Sequence, residues 1–174
     1  MEKVEMNKDM KLSEHLASPS EAALSHLSEL NGLRLSPHFS LGELTKTSIK
    51  TEDGNIPSRV VIENLRNLCE NWLEALRQAQ GPLIINSGYR SPEVNKLAGG
   101  SSTSNHLTGC AVDIRVAGFE QAVRYASILL DISDGTKRDY DELFIEKNKT
   151  GSHWIHFAVR PKDNRRKCKF ILTS

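Results

Sequence analysis

From Phe39 onward, apolar residues recur along the chain at the spacings of regular secondary structure. Between residues 57 and 80 they repeat every three or four positions, which predicts a long helix that begins at Pro57 and ends before Gly81. The apolar positions of this helix, all predicted to be core, are Val60, Val61, Leu65, Leu68, Cys69, Trp72, Leu73 and Leu76. Ser40 and Glu43 form the capping-box pattern of a shorter helix before it. The first part of the domain is therefore predicted to be helical.

The second half of the chain contains the short apolar and alternating runs that are typical of strands. Strands are predicted at residues 83–86, 111–116, 143–146 and 154–159, and the first of them is predicted to be buried because its run is apolar. Helices are predicted near residues 93–97 and at 118–131, the second with an apolar side formed by Ala122, Tyr125, Ala126, Leu129 and Leu130. The turn at residues 147–152 joins the last two strands into a hairpin. This order of elements predicts an α+β domain with a small, largely antiparallel sheet flanked by helices.

Residues 1–34 have a different pattern from the rest of the chain. Charges alternate with methionines at the start, and one short helix is predicted at residues 20–27. We predict a partly ordered leader at residues 1–34 and one domain at residues 35–174. No secretory signal is recognisable, and no apolar run approaches the roughly 20 residues of a membrane span. We therefore expect synthesis in the cytoplasm and no membrane span. The sequence leaves open where the protein acts.

The charge and the cysteines exclude several classes of protein. The 23 Lys and Arg residues nearly balance the 22 Asp and Glu residues, which argues against a nucleic-acid partner. The one basic run, at residues 165–167, is predicted to be a solvated turn. Cys69, Cys110 and Cys168 are odd in number and have no CxxC spacing, so we predict free thiols, mostly buried, and no disulfide framework. We expect a monomer.

Three residues of the second half have the chemistry of a metal site: His106, Asp113 and His156. Two imidazoles and one carboxylate fill three corners of a zinc tetrahedron and leave the fourth for water, as in catalytic zinc sites. An unpaired carboxylate among the apolar neighbours of Asp113 would be costly to bury. The pattern alone leaves an alternative open for each of two residues. Without a metal, Asp113 pairs with Arg115 or Lys96, and His156 is an ordinary half-buried histidine.

Three segments together resemble the signature of the zinc D-alanyl-D-alanine carboxypeptidase family. They are Ser87-Gly88-Tyr89-Arg90-Ser91, Ser104-x-His106-x-x-Gly109-x-Ala111-x-Asp113, and Trp154-Ile155-His156. The segment at residues 38–44 is similar to the start of the compact bacterial and phage-type members. The resemblance spans about residues 36–159 and implies a zinc peptidase domain with the hedgehog/DD-peptidase fold. It also implies peptidoglycan stem peptides or muropeptides as substrates.

The family pattern assigns a role to each matching position. The resemblance implies that His106, Asp113 and His156 bind Zn²⁺, and that Arg90 reaches the substrate carboxylate or the carbonyl oxygen under attack. An arginine fork suits both tasks because it donates two parallel hydrogen bonds. Ser104 is expected either to bind substrate or to fix the loop before His106. The loop at residues 99–104 and the segment at residues 45–56 are the expected walls of the site.

The general base is where this chain departs from many members of the family. Those members carry an acid three positions before the last histidine ligand, and this chain has His153 there. Other relatives carry the acid at the end of the preceding strand, which matches Glu146. We predict that Glu146 is the base. His153 is the alternative, and it requires a bulge because regular strand alternation turns its side chain away from His156.

Two other functions use similar ligands. Non-haem Fe(II) oxygenases also bind their metal with two histidines and one carboxylate. In those enzymes the first histidine usually lies two positions from the acid, whereas Asp113 lies seven positions after His106. A non-catalytic zinc-containing module of the same fold is the stronger alternative. The presence of Arg90 and Glu146 favours an enzyme. The residues leave open whether it is a carboxypeptidase or an endopeptidase.

Overall fold

The computed structural model describes residues 29–173. The helix predicted at residues 20–27, and with it most of the predicted leader, lies outside this range. Leu30 packs against the core, and Arg34 forms an isolated antiparallel bridge with Ser40. Residues 29–34 therefore contact the domain, while the boundary at residue 34 stays a prediction. No helix in the described range is long and apolar enough to cross a membrane.

Five α-helices and five strands lie wholly within the described part of the chain, after a helical segment at residues 29–32. The helices are α1 (Leu41–Thr45), α2 (Arg59–Leu68), α3 (Glu74–Gln80), α4 (Pro92–Leu97) and α5 (Phe119–Thr136). The strands are β1 (Ile85–Ser87), β2 (Ala111–Arg115), β3 (Glu142–Lys147), β4 (His153–Ala158) and β5 (Lys167–Leu172). A π-helical turn (Cys69–Leu73) joins α2 to α3, and a 3₁₀ turn (Asn105–Thr108) precedes β2.

The strands form one sheet in the order β1-β2-β4-β3-β5. Every neighbouring pair is antiparallel except β3 and β5, which are parallel. The predicted α+β fold with a largely antiparallel sheet is thus confirmed. Strand β5 was not predicted. It is an edge strand whose Phe170 and Leu172 are exposed, so its sequence lacks the one-sided burial that marks a strand.

The two faces of the sheet have different roles. One face packs on the helices through Val112, Ile114, Ile155, Phe157 and Leu143, all fully or almost fully buried. The other face carries the candidate chemistry. Asp113 lies opposite His156, and His156 lies opposite Phe144. Because side chains alternate along a strand, the register fixes which residues of β2, β3 and β4 share this face.

The helix predicted from Pro57 differs from the structure in two ways. It begins at Arg59, where the Ser58 hydroxyl accepts the N–H of Val61, and this leaves Val60 71% exposed, so its assignment to the core was wrong. The helix also widens into a π turn, in which the N–H of Glu74 donates to the carbonyl of Cys69, five residues earlier. The extra residue per turn brings Cys69, Trp72 and Leu73 to the core together.

The strand predicted at residues 83–86 is shifted toward the carboxyl end, to Ile85–Ser87. It is an edge strand and not the buried strand that was predicted, and Ile84 is 57% exposed. Helix α5 continues to Thr136, five residues beyond its predicted end. Its buried side includes Ala122, Tyr125, Ala126 and Leu129, as the periodicity predicted.

Candidate metal centre

The 3₁₀ turn before β2 positions His106. Ser104 caps this turn, and its hydroxyl oxygen accepts the backbone N–H of His106 at 3.3 Å. Gly109 ends the turn with φ at +69°, and a Cβ atom there would lie 2.7 Å from the carbonyl oxygen of Val61. Only glycine combines this conformation with this close approach. The contact shows Ser104 fixing the loop, and a substrate contact by Ser104 stays a prediction.

A backbone carbonyl orients the imidazole of His106. Its Nδ1 atom lies 2.6 Å from the carbonyl oxygen of Gly88, which can only accept, so Nδ1 carries the hydrogen. Gly88 reaches this position by packing against α1, where an added Cβ atom would lie 2.2 Å from the Leu44 carbonyl oxygen. The other ring nitrogen, Nε2, therefore faces Asp113 and lies 3.3 Å from its Oδ1 atom.

Asp113 joins the two histidines. Its Oδ1 atom also lies 2.9 Å from Nδ1 of His156, across the β2–β4 pair. All three side chains are buried. Burial by itself would raise the pKa of Asp113, but His106 and His156 hold that pKa well below its usual range. Burial opposes the protonation of His156, yet the hydrogen bonds that its ring donates to the carboxylates of Asp113 and Glu142 raise its pKa to about 9.

The geometry of these three residues fits a zinc ion. One ligand atom from each of them lies within 4.8 Å of the others. In a tetrahedral site with bonds of about 2.0–2.1 Å, neighbouring ligand atoms are about 3.3 Å apart. The measured separations of 3.3 Å and 2.9 Å from Oδ1 of Asp113 are close to that spacing. A metal ion at this position would therefore meet His106 Nε2, Asp113 Oδ1 and His156 Nδ1, and three protein donors leave the fourth corner of a tetrahedron to another ligand.

Arg90 lies beside this group. Its Nη2 atom donates to Oδ2 of Asp113 at 2.6 Å, and its Nε atom donates to the hydroxyl of Ser87 at 2.8 Å. Asp113 thus pairs with Arg90 and not with Arg115 or Lys96. The backbone N–H of Arg90 also donates to the His106 carbonyl, which ties the arginine to the metal-binding loop. Within residues 29–173, Nη1 makes no hydrogen bond, and it is the donor left for a substrate.

The two candidate bases lie on opposite faces of the sheet. Glu146 is half-buried on the face of His156, opposite Trp154, and burial raises its pKa. His153 lies on the other face, where its ring is 5.9 Å from that of Phe119. Strand β4 pairs without a bulge from His153 to Ala158, so nothing turns His153 inward. This placement favours Glu146 as the base.

Sequence comparison agrees with this geometry. The sequence model of the Peptidase M15 family matches residues 37–139, more than half of the chain. The chain belongs to the Peptidase M15 family. It is also 32% identical over 80 residues to the zinc D-Ala-D-Ala carboxypeptidase of Streptomyces albus G. That similarity covers 44% of this chain and only 31% of the relative's length. The family resemblance drawn from the motifs is confirmed.

The family match covers only part of the candidate centre. Arg90, His106 and Asp113 lie within residues 37–139. His156 and both acids of β3, Glu142 and Glu146, follow the matched segment. The register of β3 and β4 in the structure is what places these later residues at the centre.

Asn55 was not predicted as a site residue, although it lies in the segment expected to form a wall. This buried residue has φ at +54° and holds the backbone around Arg90. Its amide donates to the carbonyls of Thr45 and Tyr89, at 2.7 and 3.2 Å, and its carbonyl oxygen accepts the N–H of Ser91 at 2.7 Å. An asparagine in a polar loop gives no local signal of this kind.

A set of polar residues at the other side of His156 was also missed. Glu142 begins β3 and its Oε2 atom lies 3.4 Å from Nε2 of His156. Asn105 and Arg165 hold Glu142, and both also contact the fully buried Asp141. The basic run at residues 165–167, predicted to be a solvated turn, is exposed at Arg165 and Arg166, but both arginines are ion-paired and Lys167 begins β5. A signal for Glu142 existed, because it is four residues before Glu146 on one face of a strand.

A cavity of about 870 Å³ opens beside the centre. Residues 101–105 form one wall, as expected for the loop at residues 99–104. Glu142, Phe144 and His156 also line it, together with four basic residues: Arg160, Lys162, Arg165 and Lys167. A smaller cavity of about 180 Å³ lies between Arg90 and residues 46–49. The centre thus borders a space large enough for a peptide.

Proposed function

We propose that this M15 peptidase is a zinc enzyme that hydrolyses peptide bonds next to D-amino acids in bacterial cell-wall stem peptides. The observation that carries the proposal is the group formed by His106, Asp113 and His156, whose ligand atoms have the spacing of a tetrahedral zinc site. Arg90 and Glu146 share the face of the sheet on which this group lies. The relative from Streptomyces albus G, a zinc D-Ala-D-Ala carboxypeptidase, supports the choice of metal and substrate.

The roles of the residues follow from their positions. A zinc ion held by His106, Asp113 and His156 would polarise the scissile carbonyl and lower the pKa of the attacking water. Arg90 is already anchored through Nε and Nη2, so its remaining donor is preorganised to bind the substrate carboxylate or the developing oxyanion. A preorganised donor does not have to reorient during the reaction, which is why it stabilises the transition state.

Glu146 is the residue that moves the proton. It accepts the proton of the attacking water and delivers it to the leaving amine. The partial burial of Glu146 raises its pKa above that of an ordinary glutamate, which brings its proton affinity closer to neutral pH. General acid–base catalysis is most efficient when the pKa lies near the working pH.

Digestion of purified muropeptides, followed by mass spectrometry, tests this function. The mass lost identifies the bond: loss of one D-alanine indicates a carboxypeptidase, and separation of two stem peptides indicates an endopeptidase. Activity should disappear on treatment with a chelator and return with Zn²⁺. The Glu146→Gln protein, whose side chain keeps the same shape, should bind zinc and cleave about 10²–10⁴-fold more slowly.

The same experiment distinguishes the proposed enzyme from the non-catalytic alternative. A zinc-containing binding module would leave every muropeptide intact and still bind the metal. If the wild-type protein holds zinc and the digests stay unchanged, the proposed enzyme activity is wrong, whereas the ligand assignment stands.

A further inference from the structure

Each histidine of the metal centre uses one ring nitrogen for the group and turns the other toward a second partner. For His106 the second partner is the carbonyl of Gly88. For His156 it is the carboxylate of Glu142. Partners of this kind matter because they fix the tautomer and the rotation of the ring, and their loss typically weakens metal binding by about 10–100-fold.

We propose that Glu142 is a positioning residue that holds His156 with Nδ1 directed at the metal, and that Asn105 and Arg165 hold Glu142 in place. We call these four side chains, Asn105, Glu142, His156 and Arg165, the clamp. This proposal rests on the metal site of the proposed function and adds residues to which that function assigns no role.

Both carboxylate oxygens of Glu142 are engaged. Oε2 accepts the side-chain amide of Asn105 at 2.9 Å and faces Nε2 of His156 at 3.4 Å. Oε1 accepts Nη2 of Arg165 at 2.7 Å. Contacts on both oxygens prevent the carboxylate from rotating away from His156, and the charge of Arg165 compensates its negative charge in a half-buried position.

Asp141 anchors the clamp to the interior of the protein. Its side chain is 0% exposed, and it accepts two hydrogen bonds from Arg165, from Nε at 2.7 Å and from Nη2 at 2.5 Å. The amide of Asn105 also reaches Asp141, at 2.8 Å. The paired carboxylates of residues 141 and 142 therefore share one arginine and one asparagine, and such a doubly bonded arginine has a defined geometry.

Asn105 gives the clamp a link to the other histidine. It directly precedes His106 in the 3₁₀ turn, and its carbonyl oxygen accepts the N–H of Cys110 at 2.9 Å. One side chain thus connects the turn that carries His106 to the carboxylate that holds His156. The clamp consequently sets the distance between two metal ligands that are 50 positions apart in the sequence.

The geometry separates Glu142 from the ligands and from the base. Its carboxylate contacts Nε2 of His156, whereas Nδ1 is the nitrogen directed toward Asp113. Phe144 stacks on the same ring, with centroids 5.5 Å apart and an interplanar angle of 21°. The ring of His156 is therefore held on its face by Phe144 and at its edge by Glu142.

Zinc affinity is the direct test, measured by competition with a chelator on Glu142→Ala, Glu142→Gln and Asn105→Ala. We expect the zinc dissociation constant to rise by about 10–100-fold in Glu142→Ala and by less in Glu142→Gln, whose amide oxygen can still accept from Nε2. Glu120→Gln, which removes an exposed acid of α5, is the matched control and should bind zinc like the wild type.

A purely structural role predicts different readouts. Such a role would lower the melting temperature of the metal-free protein without changing the absorption spectrum of the Co²⁺-substituted protein. Positioning of His156 predicts a changed Co²⁺ spectrum in the Glu142 variants, because the geometry of one ligand changes. If Glu142→Ala does not fold, Glu142→Gln and Asn105→Ala provide the same comparison.

The outcomes separate this inference from the proposed function. Wild-type zinc affinity and an unchanged Co²⁺ spectrum in all three variants would overturn the clamp and leave the peptidase proposal intact. Wild-type affinity combined with a lost kcat in Glu142→Gln would instead place Glu142 in the chemistry, which also contradicts positioning. A wild-type protein that binds no zinc would refute the metal site itself.

Discussion

The side chain of Asn55 holds the peptide groups on both sides of Arg90. It donates to the carbonyl of Tyr89 and accepts from the N–H of Ser91, so the arginine lies between two hydrogen bonds from one amide. Asn55 is itself buried and adopts a positive φ, which is uncommon for a residue other than glycine but better tolerated by asparagine. The loop at residues 45–56 thus sets the position of a guanidinium that contacts a metal ligand.

Removal of this amide should weaken catalysis more than metal binding. We expect Asn55→Gly, which keeps the positive φ, to lower kcat/KM by about 10–100-fold, because a displacement of about 1 Å at a reacting group has an effect of that size. Zinc content should stay at the wild-type level. Steady-state kinetics together with metal analysis check this, and Asn67→Ala on α2 is a control that should have normal kinetics.

Arg90 should be irreplaceable even by lysine. Arg90→Ala and Arg90→Lys are both expected to lose about 100-fold in kcat, the effect of losing one oxyanion donor. Lysine fails because a single ammonium cannot contact Ser87, Asp113 and the substrate in the planar arrangement of a guanidinium. Circular dichroism and metal analysis should show a folded protein with zinc. Full turnover in Arg90→Lys would mean that only the charge matters.

Glu146 and His153 should differ sharply when each is replaced. Glu146→Gln is expected to lower kcat by about 10²–10⁴-fold, since the amide cannot accept a proton. His153→Ala should change kcat by less than about threefold, because its side chain lies against Phe119 on the far face. The pH dependence of kcat/KM is a second measurement, and its acidic limb should persist in His153→Ala. The reverse pattern of activities would assign the base to His153.

Zinc binding should release a proton at neutral pH. In the metal-free protein, the hydrogen bonds that raise the pKa of His156 to about 9 keep its ring protonated at pH 7, and a metal ligand must be neutral. Because the ring must lose this proton before it can bind zinc, the affinity for zinc should rise with pH up to about 9 and level off above it. Calorimetry in buffers of different ionisation enthalpy measures this proton. Release of no proton at pH 7 would contradict the raised pKa.

The local pattern of the sequence predicted the elements whose side chains carry a periodic signal. Strands β2, β3 and β4 direct alternate apolar side chains at the helices, and helix α5 buries one side, so alternation and the three-to-four spacing identify them. The π turn at Cys69–Leu73 breaks the helical period by one residue, and a periodic template continues through it as a regular helix. Strand β5 pairs with β3 by parallel backbone hydrogen bonds between distant segments, which no local pattern encodes.

In the candidate centre, too, local patterns identify some residues and miss others. The three ligands and Arg90 are surrounded by short motifs, and motifs are read locally. Asn55, Asn105 and Arg165 act through hydrogen bonds to residues that are distant in sequence. Asn105 lies 37 positions and Arg165 lies 23 positions from their shared partner Glu142. A polar residue in a loop has the same local pattern whether it faces water or holds a carboxylate. Only the folded arrangement distinguishes these cases.

The spread of the centre along the chain has a consequence for biosynthesis. The ribosome makes Arg90, His106 and Asp113 long before it makes His156 and Arg165. Domains generally fold as units while they are synthesised, and this one can complete its metal-binding group only after β4 has emerged and paired with β2. A nascent chain that ends before residue 156 therefore lacks the third residue of the proposed metal site, so the proposed zinc-dependent activity cannot begin until β4 is in place.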